Sequence, residues 1–257
     1  MNKLTFSPVG AIFDVDDTLL NNYPDTLELG LHEQARLMAI HEIGKERGIA
    51  ELADTSVEQN KTVIRRAQEH SVEGGIWQLF YELGLVDTPI IDHTNELVRL
   101  IAKRKHELYD PILVSYGMPL PGAVNFVKAL SLITDGRIAI ASGAQRNNVM
   151  TFLETSGLAE VFPSNQIICR QDFARAKPDP ESFLTAFNTL GLSINQLGQV
   201  IAFEDDPKGV ESAKRAGLYV CAITSRYTAD ELKNAAYPPD LVRGSYVEFA
   251  RDFGVEL

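Results

Sequence analysis

The chain has 257 residues, of which 45% are hydrophobic and 23% are charged, and its formal net charge is −11. This composition indicates a globular protein with a sizeable core, and the acidic balance argues against a nucleic-acid or acidic-membrane partner. The sequence shows no run of roughly 18 apolar residues, the length that crosses a bilayer, and no signal-type N-terminal segment. We therefore expect a cytoplasmic protein in which Cys169 and Cys221, both in apolar runs, are buried reduced thiols.

The N-terminal part of the chain combines one short strand with a long helical region. The apolar run from Val9 to Phe13 predicts a buried strand. Helix signals then dominate from about residue 22, with a predicted N-cap at Asp25 and a predicted helix end at Gly48. Because proline disrupts a helix interior, Pro111 is predicted to end this region. The pattern indicates an inserted helical domain over residues 22–111.

Helical and strand patterns alternate after residue 111. The strand runs are RIAIA, QIIC, QVIAF and YVCAI, and each follows a helical segment. This alternation is typical of a parallel sheet with helices on both faces. We therefore predict an α/β core with a doubly wound, Rossmann-like sheet, formed by residues 1–21 and 112–257.

Polar side chains follow three of the predicted strands. Asp14 ends the first strand, Ser142 follows RIAIA, and Glu204 and Asp205 follow QVIAF. Parallel sheets bind ligands at the carboxyl ends of their strands, so these side chains should converge on one crevice. Carboxylates about 4 Å apart repel by roughly 4 kcal/mol near a protein surface. The loop residue Lys177 and a hard dication such as Mg²⁺ would relieve this repulsion.

Asp14 and Asp16 stand two residues apart at the end of the first strand. In such a pair, one carboxylate can attack as a nucleophile while the other transfers protons. The segments FDVDDTLL, ASG, KPDP and FEDDPKG, in this order, resemble the four motifs of the haloacid-dehalogenase-like (HAD) phosphohydrolases. The helical insertion resembles the cap of that family. The resemblance implies Mg²⁺-dependent hydrolysis of a small phosphate monoester through an aspartyl-phosphate.

The resemblance also implies a role for each motif residue. Asp14 would be the nucleophile and Asp16 the general acid and base, while Lys177 would offset negative charge. The residues expected to contact the substrate phosphate are Thr18, Ser142, Gly143 and Lys177. The residues expected to hold Mg²⁺ are Asp14, Asp16 through its main-chain carbonyl, Asp205 and Glu204, the last directly or through an intervening group.

Two alternatives to a phosphatase stay open at this point. A sugar-phosphate mutase of the β-phosphoglucomutase type would share the nucleophile, and Arg65 or Arg66 would then grip a distal phosphate. A non-catalytic HAD-like module would bind a phosphometabolite without turnover. A dehalogenase is disfavoured because that branch of the family lacks the second acid that Asp16 supplies. We expect a small phosphorylated metabolite as partner, and a chain that is a monomer or a homodimer.

Overall fold

The computed structural model describes residues 6–68 and 71–257. The chain divides into two compact units. The first unit contains the described residues up to Asn21 together with Gly117–Leu257, and the second contains Asn22–Tyr116. The second unit is therefore a single insertion into the chain of the first.

The first unit is built on a parallel sheet. The strands of the described chain are β1 (Gly10–Phe13), β2 (Leu20–Asn21), β3 (Met118–Pro119), β4 (Ile138–Ala141), β5 (Ile167–Ile168), β6 (Val200–Glu204), β7 (Tyr219–Ile223) and β8 (Leu241–Arg243). Six of them form one parallel sheet in the order β5, β4, β1, β6, β7, β8. The predicted doubly wound α/β core is confirmed. Strand β8 was not predicted, because three half-buried residues carry no periodic signal.

The helices fall into two groups. The second unit contains α1 (Leu31–Arg47), α2 (Ala50–Ala53), α3 (Val57–Arg66), α4 (Val72–Glu82) and α5 (Glu96–Tyr116). The first unit contains α6 (Ala123–Ile133), α7 (Arg146–Thr155), α8 (Glu181–Thr189), α9 (Pro207–Arg215), α10 (Ala229–Lys233) and α11 (Tyr246–Phe253). Within residues 6–68 and 71–257, none of these helices combines the length and the apolar character needed to traverse a bilayer.

Successive residues of β1 point to opposite faces of the sheet, and both faces are buried. Ile12 belongs to an aliphatic cluster that includes Phe183 of α8 and Val210 of α9. Phe13 lies on the other face, where its ring stacks on that of Phe203 with centroids 4.7 Å apart. A strand that is covered on both faces reads as a continuous apolar run, which is the pattern seen in the sequence.

The second unit has its own apolar core. Side chains of α1, α4 and α5 form one cluster that includes Ile40, Trp77 and Ile101. The indole N–H of Trp77 donates a hydrogen bond to the carbonyl oxygen of Thr88 at 2.9 Å, which satisfies the one polar atom of this buried ring. Helix α1 ends at Gly48 with φ of 66°, as the sequence predicted.

The predicted N-cap at Asp25 is wrong. Helix α1 begins at Leu31, and its N-cap is Gly30, whose N–H donates to the side chain of Glu33 at 3.2 Å. Asp25 lies in a turn in which the N–H of Leu27 donates to the carbonyl of Pro24 at 3.0 Å. Aspartate favours turns as well as helix N-caps, so the residue type alone did not distinguish the two.

The predicted helix end at Pro111 is also wrong, because α5 continues through this residue to Tyr116. Proline inside a helix costs about 3 kcal/mol. Ile112 and Leu113, which directly follow the proline, are buried, and burying two such side chains contributes about 1.5–3 kcal/mol each. Burial therefore offsets the cost of the proline, and the boundary between the units follows Tyr116 instead of residue 111.

The ends of the insertion are joined by a short antiparallel ladder. Leu20 of β2 pairs with Pro119 of β3, and Asn21 pairs with Met118. The N–H of Leu120 extends this ladder by donating to the carbonyl of Leu19 at 2.8 Å. The chain thus leaves the first unit and re-enters it at neighbouring points.

Candidate active site

The segment after β1 forms a tight turn at the carboxyl edge of the sheet. The N–H of Asp14 donates to the carbonyl of Phe203 at 3.0 Å, which holds Asp14 next to the end of β6. The N–H groups of Thr18, Leu19 and Leu20 all donate to the carbonyl of Val15. Asp17 has φ of 55°, a left-handed conformation that aspartate tolerates better than most residues.

Three buried carboxylates meet at this edge. Asp14 comes from the end of β1, whereas Glu204 is the last residue of β6 and Asp205 follows it. One oxygen of each residue lies within 4.8 Å of the others, and the residues are only 7%, 1% and 3% exposed. The carboxylate of Asp16 is not a member of this set among the residues that the structure describes. The structure therefore brings together the three carboxylates that were predicted as metal ligands, while the main-chain carbonyl of Asp16 stays a predicted ligand.

Lys177 provides the positive charge beside the carboxylates. Its Nζ donates to Asp14 Oδ1 at 2.7 Å, to Glu204 Oε1 at 2.6 Å and to the carbonyl of Ala141 at 3.0 Å. Three acceptors match the three protons of an ammonium group. The same Nζ lies 4.8 Å from the ring centroid of Phe183. Lys177 therefore links the ends of β1, β4 and β6.

The surroundings of the three carboxylates disfavour their ionised forms. Burial is the main cause that raises the pKa of Asp14, Glu204 and Asp205 above their ordinary values. Lys177 lowers the pKa of Asp14 and Glu204, and repulsion from neighbouring carboxylates raises the pKa of all three residues. Asp16 contributes to this repulsion at Asp14. Burial opposes the charge of Lys177, but Asp14 and Glu204 outweigh it and raise the pKa of Lys177. The ammonium group therefore stays protonated.

Glu204 is fixed from several sides. Its Oε2 accepts hydrogen bonds from the N–H groups of Asp205 and Asp206, at 3.1 and 3.4 Å, while Oε1 binds Lys177. A Cβ atom on Gly209 would lie 2.0 Å from Glu204 Oε1, so only glycine leaves room for this carboxylate. Glu204 thus orients Lys177, and Gly209 makes that arrangement sterically feasible.

Ser142 and Gly143 directly follow Ala141, the last residue of β4, whose carbonyl accepts from Lys177. Ser142 is fully buried, and its N–H donates to the carbonyl of Ile168 at 2.9 Å. Its Oγ accepts from the N–H of Ala144 at 3.1 Å. Gly143 is exposed, and a side chain there would meet open space. The expected phosphate contacts of Ser142 and Gly143 stay predictions.

Thr18 and Asp206 make side-chain contacts that were not predicted from the sequence. The fully buried hydroxyl of Thr18 donates to Asp205 Oδ1 at 3.2 Å, so in this structure it contacts an acid of the cluster. Asp206 caps α9 by accepting from the N–H of Lys208 at 2.7 Å. Its carboxylate serves the helix and is not a member of the acid cluster.

Two contacts to the turn were missed by sequence reasoning. The hydroxyl of Tyr246 donates to the carbonyl of Thr18 at 2.8 Å, and Ser225 Oγ donates to the carbonyl of Asp17. Ser225 follows β7, so the rule that picked out Asp14 and Ser142 also applied to it. No signal marked Tyr246, because it begins a helix that follows the unpredicted strand β8.

The donor set fits a hard divalent cation. Three carboxylates face one ammonium group, so the ionised cluster carries excess negative charge. Carboxylate oxygens are the ligands that Mg²⁺ prefers. Among the described residues, Asp14 and Asp205 are therefore suited to hold such an ion. Glu204 belongs to the same cluster but is also paired with Lys177.

The motifs and fold agree with comparisons to known proteins. Glycerol-1-phosphate phosphohydrolase 2 of Saccharomyces cerevisiae is 30% identical over 135 residues, which is 50% of this chain and 53% of that protein. The chain thus spans about half the length of this relative. Phosphoglycolate phosphatase of Rhodospirillum rubrum is 26% identical over 87% of this chain and 82% of its own.

A solved structure and a family model extend the match. A HAD hydrolase of family IA, variant 3, from Entamoeba histolytica superposes with a TM-score of 0.69 and 24% identity, covering 95% of this chain and 97% of the other. The model of the haloacid dehalogenase-like hydrolases matches residues 10–217, from β1 to the end of the segment that follows α9. This range contains all four motifs and the acid cluster, and the chain therefore belongs to the haloacid dehalogenase-like hydrolase family.

Proposed function

We propose that this protein is a Mg²⁺-dependent phosphatase that hydrolyses a small phosphate monoester through an aspartyl-phosphate on Asp14. The observation that carries the proposal is the contact of Lys177 with both Asp14 and Glu204, next to Asp205. An anionic nucleophile can approach an anionic ester only where positive charge offsets the repulsion. The arrangement supplies a nucleophile, a fixed ammonium group and oxygen ligands for a cation at one place.

The proposed chemistry uses residues of the first unit. Asp14 attacks phosphorus and forms an O–P bond, while Asp16 donates a proton to the leaving alcohol oxygen. Asp16 then takes a proton from water, which attacks the phosphorus of phospho-Asp14 and releases inorganic phosphate and the free carboxylate. Ser142 and the main-chain N–H of Gly143 bind the phosphoryl oxygens. Glu204 keeps Lys177 in place during both steps.

The cation would be held by Asp14 and Asp205, with the main-chain carbonyl of Asp16. When bound, Mg²⁺ supplies positive charge that stabilises the transferring phosphoryl group. The names of the relatives support a small substrate such as a two- or three-carbon phosphate ester. The two buried free thiols support a cytoplasmic location.

We favour water over a sugar phosphate as the acceptor, and the pairing of Arg66 supports this choice. A mutase needs free cationic side chains to hold a distal phosphate. Arg66 is instead an exposed residue that donates to Glu82 at 2.8 Å and to Thr62 at 2.6 Å. Arg65 is exposed on the same helix. We therefore propose that phosphate appears one for one with the freed alcohol, and that β-glucose 1-phosphate yields no glucose 6-phosphate.

The test is phosphate release over a panel of monoesters, with EDTA or Mg²⁺, by the wild type and by Asp14→Asn. We expect turnover that requires Mg²⁺ and that falls by more than about 10³-fold in Asp14→Asn, because the uncatalysed reaction is extremely slow. Asp240→Asn is the matched control and should retain full activity, because Asp240 lies next to the start of β7, where it pairs with Lys214 and accepts from the N–H of Val220. Retention of a tenth of the activity by Asp14→Asn would disprove the covalent mechanism. Binding without turnover of any ester would favour a non-catalytic module.

A further inference from the structure

The turn that carries Thr18 is held from outside by two hydroxyl groups. Ser225, after β7, donates to the carbonyl of Asp17, and Tyr246, at the start of α11, donates to the carbonyl of Thr18. Tyr246 is fully buried, and its ring packs against those of Phe126 and Phe249 with centroids 5.2 and 5.9 Å apart. The ring contacts fix the tyrosine, and its hydroxyl then fixes the turn.

A second hydrogen bond links Thr18 to the acid cluster. Thr18 receives the tyrosine hydroxyl at its carbonyl and donates its own hydroxyl to Asp205 Oδ1. All three residues are buried, where hydrogen bonds are stronger than in water. Burial, together with the nearby charges of Asp14 and Asp205, raises the pKa of Tyr246, which keeps its hydroxyl protonated as a donor. Two hydrogen bonds therefore connect Tyr246 to Asp205 through Thr18.

We propose that Tyr246 is a positioning residue for the metal site: through the carbonyl of Thr18, it holds the threonine hydroxyl on Asp205 and so sets the affinity of this carboxylate for a divalent cation. The inference rests on the proposed function, because it assumes that Asp205 is a metal ligand. It adds to that function a residue of α11 that touches neither the substrate nor the ion. A single neutral hydrogen bond is worth a few-fold in an equilibrium constant, which sets the size of the expected effect.

The experiment measures Mn²⁺ binding by EPR to the full-length protein in the absence of substrate. Tyr246→Phe removes only the hydroxyl and keeps the packed ring. We expect it to weaken Mn²⁺ binding about three- to ten-fold, while kcat at saturating metal changes less than about two-fold. The matched control is Thr134→Val. This substitution also removes a buried hydrogen bond from a hydroxyl to a carbonyl, that of Leu130, but Thr134 lies at the end of α6. Thr134→Val should leave Mn²⁺ affinity unchanged.

A double-mutant cycle tests whether the effect passes through Thr18. Thr18→Val should weaken Mn²⁺ binding by itself, and adding Tyr246→Phe to it should produce no further loss. Binding is measured well below each variant's unfolding midpoint, so that lower stability does not affect the result. An unchanged Mn²⁺ affinity in Tyr246→Phe, or an equal loss in both backgrounds, would overturn the inference. No Mn²⁺ binding by the wild type would instead overturn the proposed metal site, and the inference with it.

Discussion

At the scale of single residues, Gly209 is the most demanding steric position of the site. We predict that Gly209→Ala displaces Glu204, releases Lys177 and lowers the free energy of unfolding by about 1–3 kcal/mol, because the new methyl group would overlap the carboxylate. Turnover should fall at least ten-fold. Urea unfolding and phosphate release measure the two effects.

The control for this prediction is Gly198→Ala. A Cβ on Gly198 meets nothing within 4 Å, and its backbone does not require glycine. We expect a change in the free energy of unfolding below about 0.5 kcal/mol. If the two variants behave alike, Gly209 is not the residue that makes room for Glu204.

The pKa of Asp205 gives a pH prediction. Burial and neighbouring carboxylates raise this pKa in the folded protein, so the folded state binds more protons than the unfolded state above about pH 4. Stability contributed by the protonated form is therefore lost as pH rises through this window. In EDTA at about pH 7, Asp205→Asn should therefore be more stable than the wild type.

This advantage should shrink as the pH is lowered toward 4, because the wild-type carboxyl then binds a proton and becomes as neutral as the amide. The amide oxygen can still accept from Thr18, so the substitution changes charge more than shape. Urea unfolding across pH, in EDTA, gives the difference directly. An advantage that does not vary with pH would mean that the charge of Asp205 is not destabilising.

At the scale of secondary-structure elements, the sequence identified the parts of the site that belong to strands. Strands β1, β4 and β6 are apolar on both faces, so their ends, and hence Asp14, Ser142 and Glu204, could be located. The role of Gly209 and the contact of Tyr246 with Thr18 could not be predicted. They depend on the distance between a helix and the end of a strand, and the spacing of apolar residues in the sequence does not determine this distance.

Helix α5 is a second element whose end the sequence did not predict correctly. The proline was expected to end the helix, but the burial of the residues that follow it outweighs the cost of the proline. We predict that Pro111→Ala raises the free energy of unfolding by about 1–2 kcal/mol, since it restores an N–H donor and removes a ring clash inside the helix. Part of the gain is offset by the greater freedom of the unfolded chain. Thermal unfolding followed by circular dichroism measures the change, and a lower midpoint would show that the ring makes a stabilising contact.

At the scale of the whole molecule, the acid cluster and Lys177 belong entirely to the first unit. We predict that a variant in which residues 22–117, the second unit and Gly117, are replaced by a two-residue Asn-Gly turn still folds and still binds Mn²⁺. The paired ends of β2 and β3 are already antiparallel, and Asn-Gly is the preferred connection for such a ladder. EPR and circular dichroism test this, and an unfolded product would show that the sheet depends on the insertion.

The β2–β3 ladder also bears on the order of events during folding. Strand β1 pairs with β4, which lies more than a hundred residues later in the chain, and closing so long a loop slows the search for the native topology. The second unit has its own apolar cluster and can collapse locally before the sheet exists. Once it does, Asn21 and Met118 are brought toward each other, and the loop left to close is only the chain between each of these residues and its strand. We therefore expect the insertion to shorten the path by which the edge that carries the acid cluster assembles.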